Sequence, residues 1–249
     1  MLKKEKIPFS HGNIQFEGYA VFDEKGAPRK PVILIAHAWR GLSEFEKQKA
    51  EELAEMGYIA FALDVYGKGI LASSDDEASK LMMPLYLDRS LLRSRVLAGL
   101  DAIKKHPHAE TNKIGAVGFC FGGLTVLELA KNGTDVKGVV SFHGVLSTKM
   151  GDQKAKLAPT SDNIISKILV LQGYEDPLVS EEDVKNFENE MTQRKVDWQF
   201  HMYGNTKHAF TNPEANFPEK GLQYNEVSAK RSWKAMTNFF DEIFPKMRV

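Results

Sequence analysis

The chain has 249 residues, is 43% hydrophobic and 27% charged, and balances 33 Lys and Arg against 33 Asp and Glu. Zero formal charge, with no basic stretch interleaved with aromatics, removes the usual electrostatic signature of nucleic-acid or anionic-membrane binding. No apolar run approaches the roughly 18 residues of a bilayer span, Met1–Pro8 lacks the apolar core of a secretory signal, and one cysteine allows neither an internal disulfide nor a cysteine metal cage, so a cytoplasmic protein is expected.

Residues 6–22 read as two short strands joined through His11-Gly12-Asn13, with Ile14, Phe16 and Gly18 alternating with polar Gln15 and Glu17. Pro31–Ala36 is apolar throughout, the mark of a strand buried on both faces. Ser43 and Glu46 form a capping box that opens a helix over 44–56. Tyr58–Leu63 is the next buried strand. The interval 67–95 is irregular: Ser73–Glu77 offers a cap for a short helix, Pro84 is expected to end or kink it, and so long a connection suggests a lid or a wall of a site. Leu92, Val96, Leu100 and Ile103 have helical spacing. Buried strands follow at 113–117, 136–142 and 167–172, a helix capped by Ser180 and Asp183, an edge-like strand at 196–202, and a last helix with Trp233, Met236, Phe240 and Ile243 on one face. Apolar strands alternating with helices imply a mostly parallel sheet covered on both faces. With no repeat or linker, one α/β domain over 1–249 is expected.

The stretch Gly118-Phe119-Cys120-Phe121-Gly122-Gly123 places the only cysteine in a Gly-x-nucleophile-x-Gly pattern between a strand and a helix. This is the context of a nucleophile elbow, whose tight turn tolerates only small neighbours. A lone cysteine is often a small core residue, but one at a helix N-terminus is favoured as thiolate. Ligands of such sheets bind at the carboxyl ends of strands. Asp176 falls in the loop after strand 167–172 and His208 in the loop after 196–202, in the nucleophile–acid–histidine order of α/β-hydrolases. Cysteine would attack, histidine would exchange the proton and activate water, and aspartate would orient the ring. Glu175 is the alternative acid, disfavoured by the Asp-Pro turn. His37 and His143 also follow strands but break the order, and are expected in the pocket. His106 and His108 flank Pro107 in what reads as a solvated turn, too few for a metal site. The oxyanion donors expected are the backbone N–H groups of Phe121 and of Trp39, the latter in His37-Ala38-Trp39-Arg40-Gly41.

These motifs, Gly118 to Gly123, Asp176-Pro177 and His208-Ala209-Phe210, resemble the dienelactone hydrolase (carboxymethylenebutenolidase) family over nearly the whole chain. The resemblance implies an α/β-hydrolase fold, with a twisted sheet of about seven to eight strands. It further implies hydrolysis of an enol-lactone through a thioester acyl-enzyme, with no metal and no organic cofactor. Two positions depart from the family's pattern. Ala38 stands where well-known members place a glutamate against the thiol, and Asn212 where they place a substrate-binding arginine; Arg40, Arg89 and Arg93 are the candidates to replace the latter. A small ester or lactone is the expected partner, with neither nucleic acid nor membrane, for a monomer or weak homodimer. The alternatives are a broad carboxylesterase or thioesterase, and a non-catalytic protein using Cys120 as a reactive-thiol sensor.

Overall fold

The computed structural model describes residues 1–244. In chain order its larger elements begin with β1 (Leu2–His11), β2 (Ile14–Asp23), β3 (Lys30–Ala36), α1 (Glu44–Glu55) and β4 (Ile59–Leu63). Next come α2 (Asp75–Leu87), α3 (Arg89–Lys104), β5 (Ala109–Phe119), α4 (Phe121–Lys131) and β6 (Gly138–Phe142). A small hairpin, β7 (Lys149–Met150) and β8 (Gln153–Lys154), precedes β9 (Lys167–Gly173), α5 (Glu181–Gln193) and β10 (Trp198–Tyr203). A second, β11 (Asn216–Phe217) and β12 (Leu222–Gln223), precedes α6 (Glu226–Ile243).

Eight strands form one sheet in the order β1-β2-β4-β3-β5-β6-β9-β10. The first two are an antiparallel hairpin and β2 is antiparallel to β4, while every later pairing is parallel. Alternation along β3 explains the two cores. Val32, Leu34 and Ala36 join Leu92, Val96 and Leu100 of α3, Val126 and Leu127 of α4, and Phe187 of α5. Ile33 and Ile35 point the other way, to Leu53 of α1 and to Met236 and Phe240 of α6. With both faces covered, the central strands are apolar without break, as parallel sheets require. No helix among the described residues is long and apolar enough to cross a membrane.

Three local expectations are corrected. β1 starts at Leu2 rather than at residue 6, because Lys3–Lys6, which lack an apolar alternation, are held by main-chain pairing to β2 and by ion pairs such as Lys4–Glu51. Pro84 does not end α2: the helix continues to Leu87, burying Leu85 and Tyr86, and the Asp88 N–H still reaches the Pro84 carbonyl at 3.1 Å. His106 is not solvated: its side chain packs edge-on against Phe22, with ring centroids 4.9 Å apart, and meets Glu5 at 3.3 Å.

Candidate active site

β5 ends at Phe119 and α4 begins at Phe121, so Cys120 alone makes the turn between them. Its backbone sits at φ 57, ψ −116, a region that costs a non-glycine residue strain and persists only where surroundings enforce it. The enforcement is close packing. A Cβ at Gly118 would lie 1.9 Å from the Gly122 carbonyl oxygen, and one at Gly122 would lie 2.0 Å from the Ala36 oxygen at the end of β3. The two glycines thus let α4 descend directly onto the strand ends, and the Cys120 N–H donates to the Phe142 carbonyl at 3.0 Å.

Asp176 and His208 are both buried, at 4% and 1% exposure, on the loops beyond β9 and β10. His208 Nδ1 meets Asp176 Oδ2 at 2.7 Å, while Glu175 is exposed. His208 Nε2 is buried with no hydrogen-bond partner of standard geometry among the described residues, and the charge that acts on the ring besides Asp176 is that of Cys120. Burial works against the charged imidazole. Interaction with the charge of Cys120 and the Asp176 hydrogen bond outweigh it and raise His208 from 6.5 to about 10. Asp176 is itself held by Leu178 N–H at 2.9 Å and by Gln172 Nε2 at 2.5 Å. Gln172 was not anticipated; the signal was present as a polar residue closing the apolar run of β9, four positions before Asp176.

His143 is buried beneath the elbow rather than set in an open pocket. Its Nδ1 lies 3.2 Å from the Cys120 N–H and its Nε2 2.7 Å from Thr211 Oγ1, and its ring packs edge-on against His208 at 5.1 Å. Burial, then the charge of His208, holds it well below the ordinary imidazole range, so it serves as a neutral brace.

The loop after β3 is fixed by side chains. Val65 N–H donates to His37 Nε2 at 3.3 Å, which leaves the ring proton on Nδ1, 2.6 Å from the Ala38 carbonyl. Glu46, buried in α1, accepts the Ala38 N–H at 3.1 Å as well as closing its own capping box. The peptide from Ala38 to Trp39 is planar and trans, so anchoring its carbonyl aims the Trp39 N–H the opposite way. Neither that N–H nor that of Phe121 has a protein acceptor among the described residues. His37 is buried and turned toward backbone, while Ala38 and Trp39 are half-buried.

The remaining predicted pocket residues have other partners. Arg40 is exposed, paired with Asp75 and set over the Trp39 ring at 5.8 Å. Asn212 Oδ1 accepts the Glu214 N–H at 3.0 Å and shapes a turn. Arg93 pairs with buried Glu128 at 2.8 Å, and Arg89 lies 4.3 Å over the Tyr86 ring. The 67–95 interval comprises a loop, all of α2 and the first half of α3. A broad concavity of about 1060 Å³, lined by Pro28, Pro107, His108 and Phe244 among others, opens at the amino ends of β3 and β5, the wrong pole for this chemistry.

A sheet in this order, an elbow at the end of a central strand, and an acid and a histidine beyond β9 and β10 define an α/β-hydrolase. Residues 16–244 match the model of the dienelactone hydrolase family. The fold is similar to the crystal structure of the dienelactone hydrolase-like promiscuous phosphotriesterase P91 from metagenomic libraries, with TM-score 0.88 and 35% identity, covering 97% of this chain and 98% of that one. The chain is also similar to a protein of Aquifex aeolicus provisionally named a carboxymethylenebutenolidase, 26% identical over 95% of this chain and 97% of that protein. An uncharacterized protein of Caenorhabditis elegans is 39% identical over 155 residues, 61% of this chain and 94% of its own length. The chain belongs to the dienelactone hydrolase family.

Proposed function

We propose that the protein hydrolyses a lactone or activated ester by nucleophilic attack of Cys120, with His208 as general base and acid and Asp176 as its orienting carboxylate. The observation that carries this reading is the buried Asp176–His208 pair, whose second ring nitrogen is left to the sulfur of a strained elbow cysteine.

The Cys120 thiolate adds to the acyl carbon, and the carbonyl electrons move onto oxygen, where the N–H groups of Phe121 and Trp39 receive the charge. Collapse breaks the C–O bond; the leaving oxygen takes its proton from His208, and a thioester remains. His208 then removes a proton from water as it attacks the thioester, the C–S bond breaks, and the acid is released. A thiolate leaves readily, so the first intermediate reverts unless the departing oxygen is also a good leaving group. Enol-lactones, aryl esters and thioesters are favoured over alkyl esters for that reason. Ala38 leaves no carboxylate at that position for the sulfur, so activation rests on His208 and the start of α4.

The test is hydrolysis of p-nitrophenyl acetate by the protein and by Cys120→Ala, with cis-dienelactone and a phosphotriester (paraoxon) in parallel. Activity lost with the sulfur supports the reading, and the substrate ratio separates lactonase from general esterase. Equal rates for the two proteins would remove it and leave the thiol-sensor alternative.

A further inference from the structure

Tyr66 lies just beyond β4, is 4% exposed, and belongs to none of the groups that the reaction above uses. It touches every part that supplies a charge-accepting N–H. Its hydroxyl donates to the Trp39 carbonyl at 2.8 Å. Its ring meets the edge of His37, the residue that anchors the Ala38–Trp39 peptide, at 4.6 Å. The same ring stacks on Phe121, which carries the other donor, at 6.2 Å and 22°. The phenol is also close enough to Cys120 for the sulfur's charge to add to burial in raising its pKa.

We propose that Tyr66 is a positioning residue for the oxyanion site, holding the Trp39 peptide in register with the Phe121 N–H; the inference rests on the cysteine-hydrolase reading above. His37, together with the Gly41 N–H at 3.2 Å, fixes the carbonyl of the peptide before Trp39, and the Tyr66 hydroxyl fixes that of the peptide after it. Removing the hydroxyl frees the second carbonyl. The loop then rotates by small amounts, and a donor that must meet developing charge at about 2.7–3.1 Å loses much of its value. A positioning role of this kind acts on the tetrahedral intermediate, leaving substrate binding and the sulfur unaffected.

The experiment is Tyr66→Phe, which keeps the ring and its stacking. Loss of one oxyanion donor costs on the order of 10²–10³ in kcat, and misalignment of one should cost less, about tenfold, with KM within about twofold. The diagnostic readout is the thionoester, p-nitrophenyl thionoacetate, whose developing charge sits on sulfur and accepts hydrogen bonds poorly. There the variant should match the wild type. Labelling of Cys120 by iodoacetamide at the wild-type rate establishes that the nucleophile and its surroundings are intact. Wild-type kcat on the oxygen ester, equal slowing on both esters, or slowed labelling would each overturn the proposal while the cysteine hydrolase stands. If instead the wild type and Cys120→Ala hydrolyse the ester equally, the underlying reading fails and this one with it.

Discussion

The two N–H groups proposed to receive the charge are delivered by opposite means. The Phe121 donor belongs to the elbow, where backbone meets backbone: Gly118 against Gly122, and Gly122 against Ala36, with no side chain between. The Trp39 donor belongs to the turn after β3, aimed by His37 of that turn itself, Glu46 of α1 and Tyr66 from beyond β4. Backbone packing makes the first rigid and intolerant of any added atom. Side-chain hydrogen bonds make the second adjustable, and dependent on residues far away in the chain. One reaction centre thus combines a fixed jaw with an adjustable one.

The largest effect should come from filling the fixed jaw. In Gly122→Ala the methyl would stand 2.0 Å from the Ala36 oxygen, and two backbones cannot both move aside. A loss of about 3 kcal/mol or more in denaturant unfolding is expected, with activity abolished. A folded and active variant would show that the elbow yields as readily as the loop does.

The next effect separates the two regions by pH. Contacts between glycines do not titrate, whereas His208 does. Its pKa is raised on folding from 6.5 to about 10, so its contribution is complete below about 6.5 and drains away as pH rises toward about 10. The thermal midpoint of the wild type should therefore fall more steeply between about pH 7 and 10 than that of His208→Gln. Parallel curves would mean that the folded ring does not hold its proton.

The smallest effect tests whether the adjustable jaw uses Trp39 through its peptide alone. Trp39→Phe retains the main chain and a ring, so kcat on p-nitrophenyl acetate should stay within about twofold. A drop as large as that of Tyr66→Phe would assign the indole a direct part.

The same contrast explains what was legible in the sequence. Glycine spacing around Cys120 is a local pattern whose physical cause is local, so the elbow could be read from six residues. Asp176 and His208 could be placed in loops beyond strand ends because each follows a strand with a legible pattern, an apolar run before Asp176 and an alternating, edge-like one before His208. Tyr66 and the second role of Glu46 were not, since each acts through a hydrogen bond to a partner brought near only by the fold. Gln172 came closest to being visible, as a polar residue where β9 should still be apolar. Strand position suggested that His37 and His143 line the pocket, but sequence position does not say which way a ring turns. Both turn inward to brace backbone. The path of α2 through Pro84 was hidden because tertiary burial of Leu85 and Tyr86 overrode the local break.

The sheet order has a bearing on synthesis. From β5 onward, successive long strands are laid down one after another toward a single edge, and β10 is the last. A chain emerging from the ribosome amino end first therefore completes its elbow well before the residues that answer to it exist. During that interval the sulfur has a turn to sit in but neither the imidazole of His208 nor the carboxylate of Asp176 near it. Ester cleavage begins only when the edge of the sheet closes, so on this mechanism a nascent or C-terminally truncated chain carries a cysteine without carrying an enzyme.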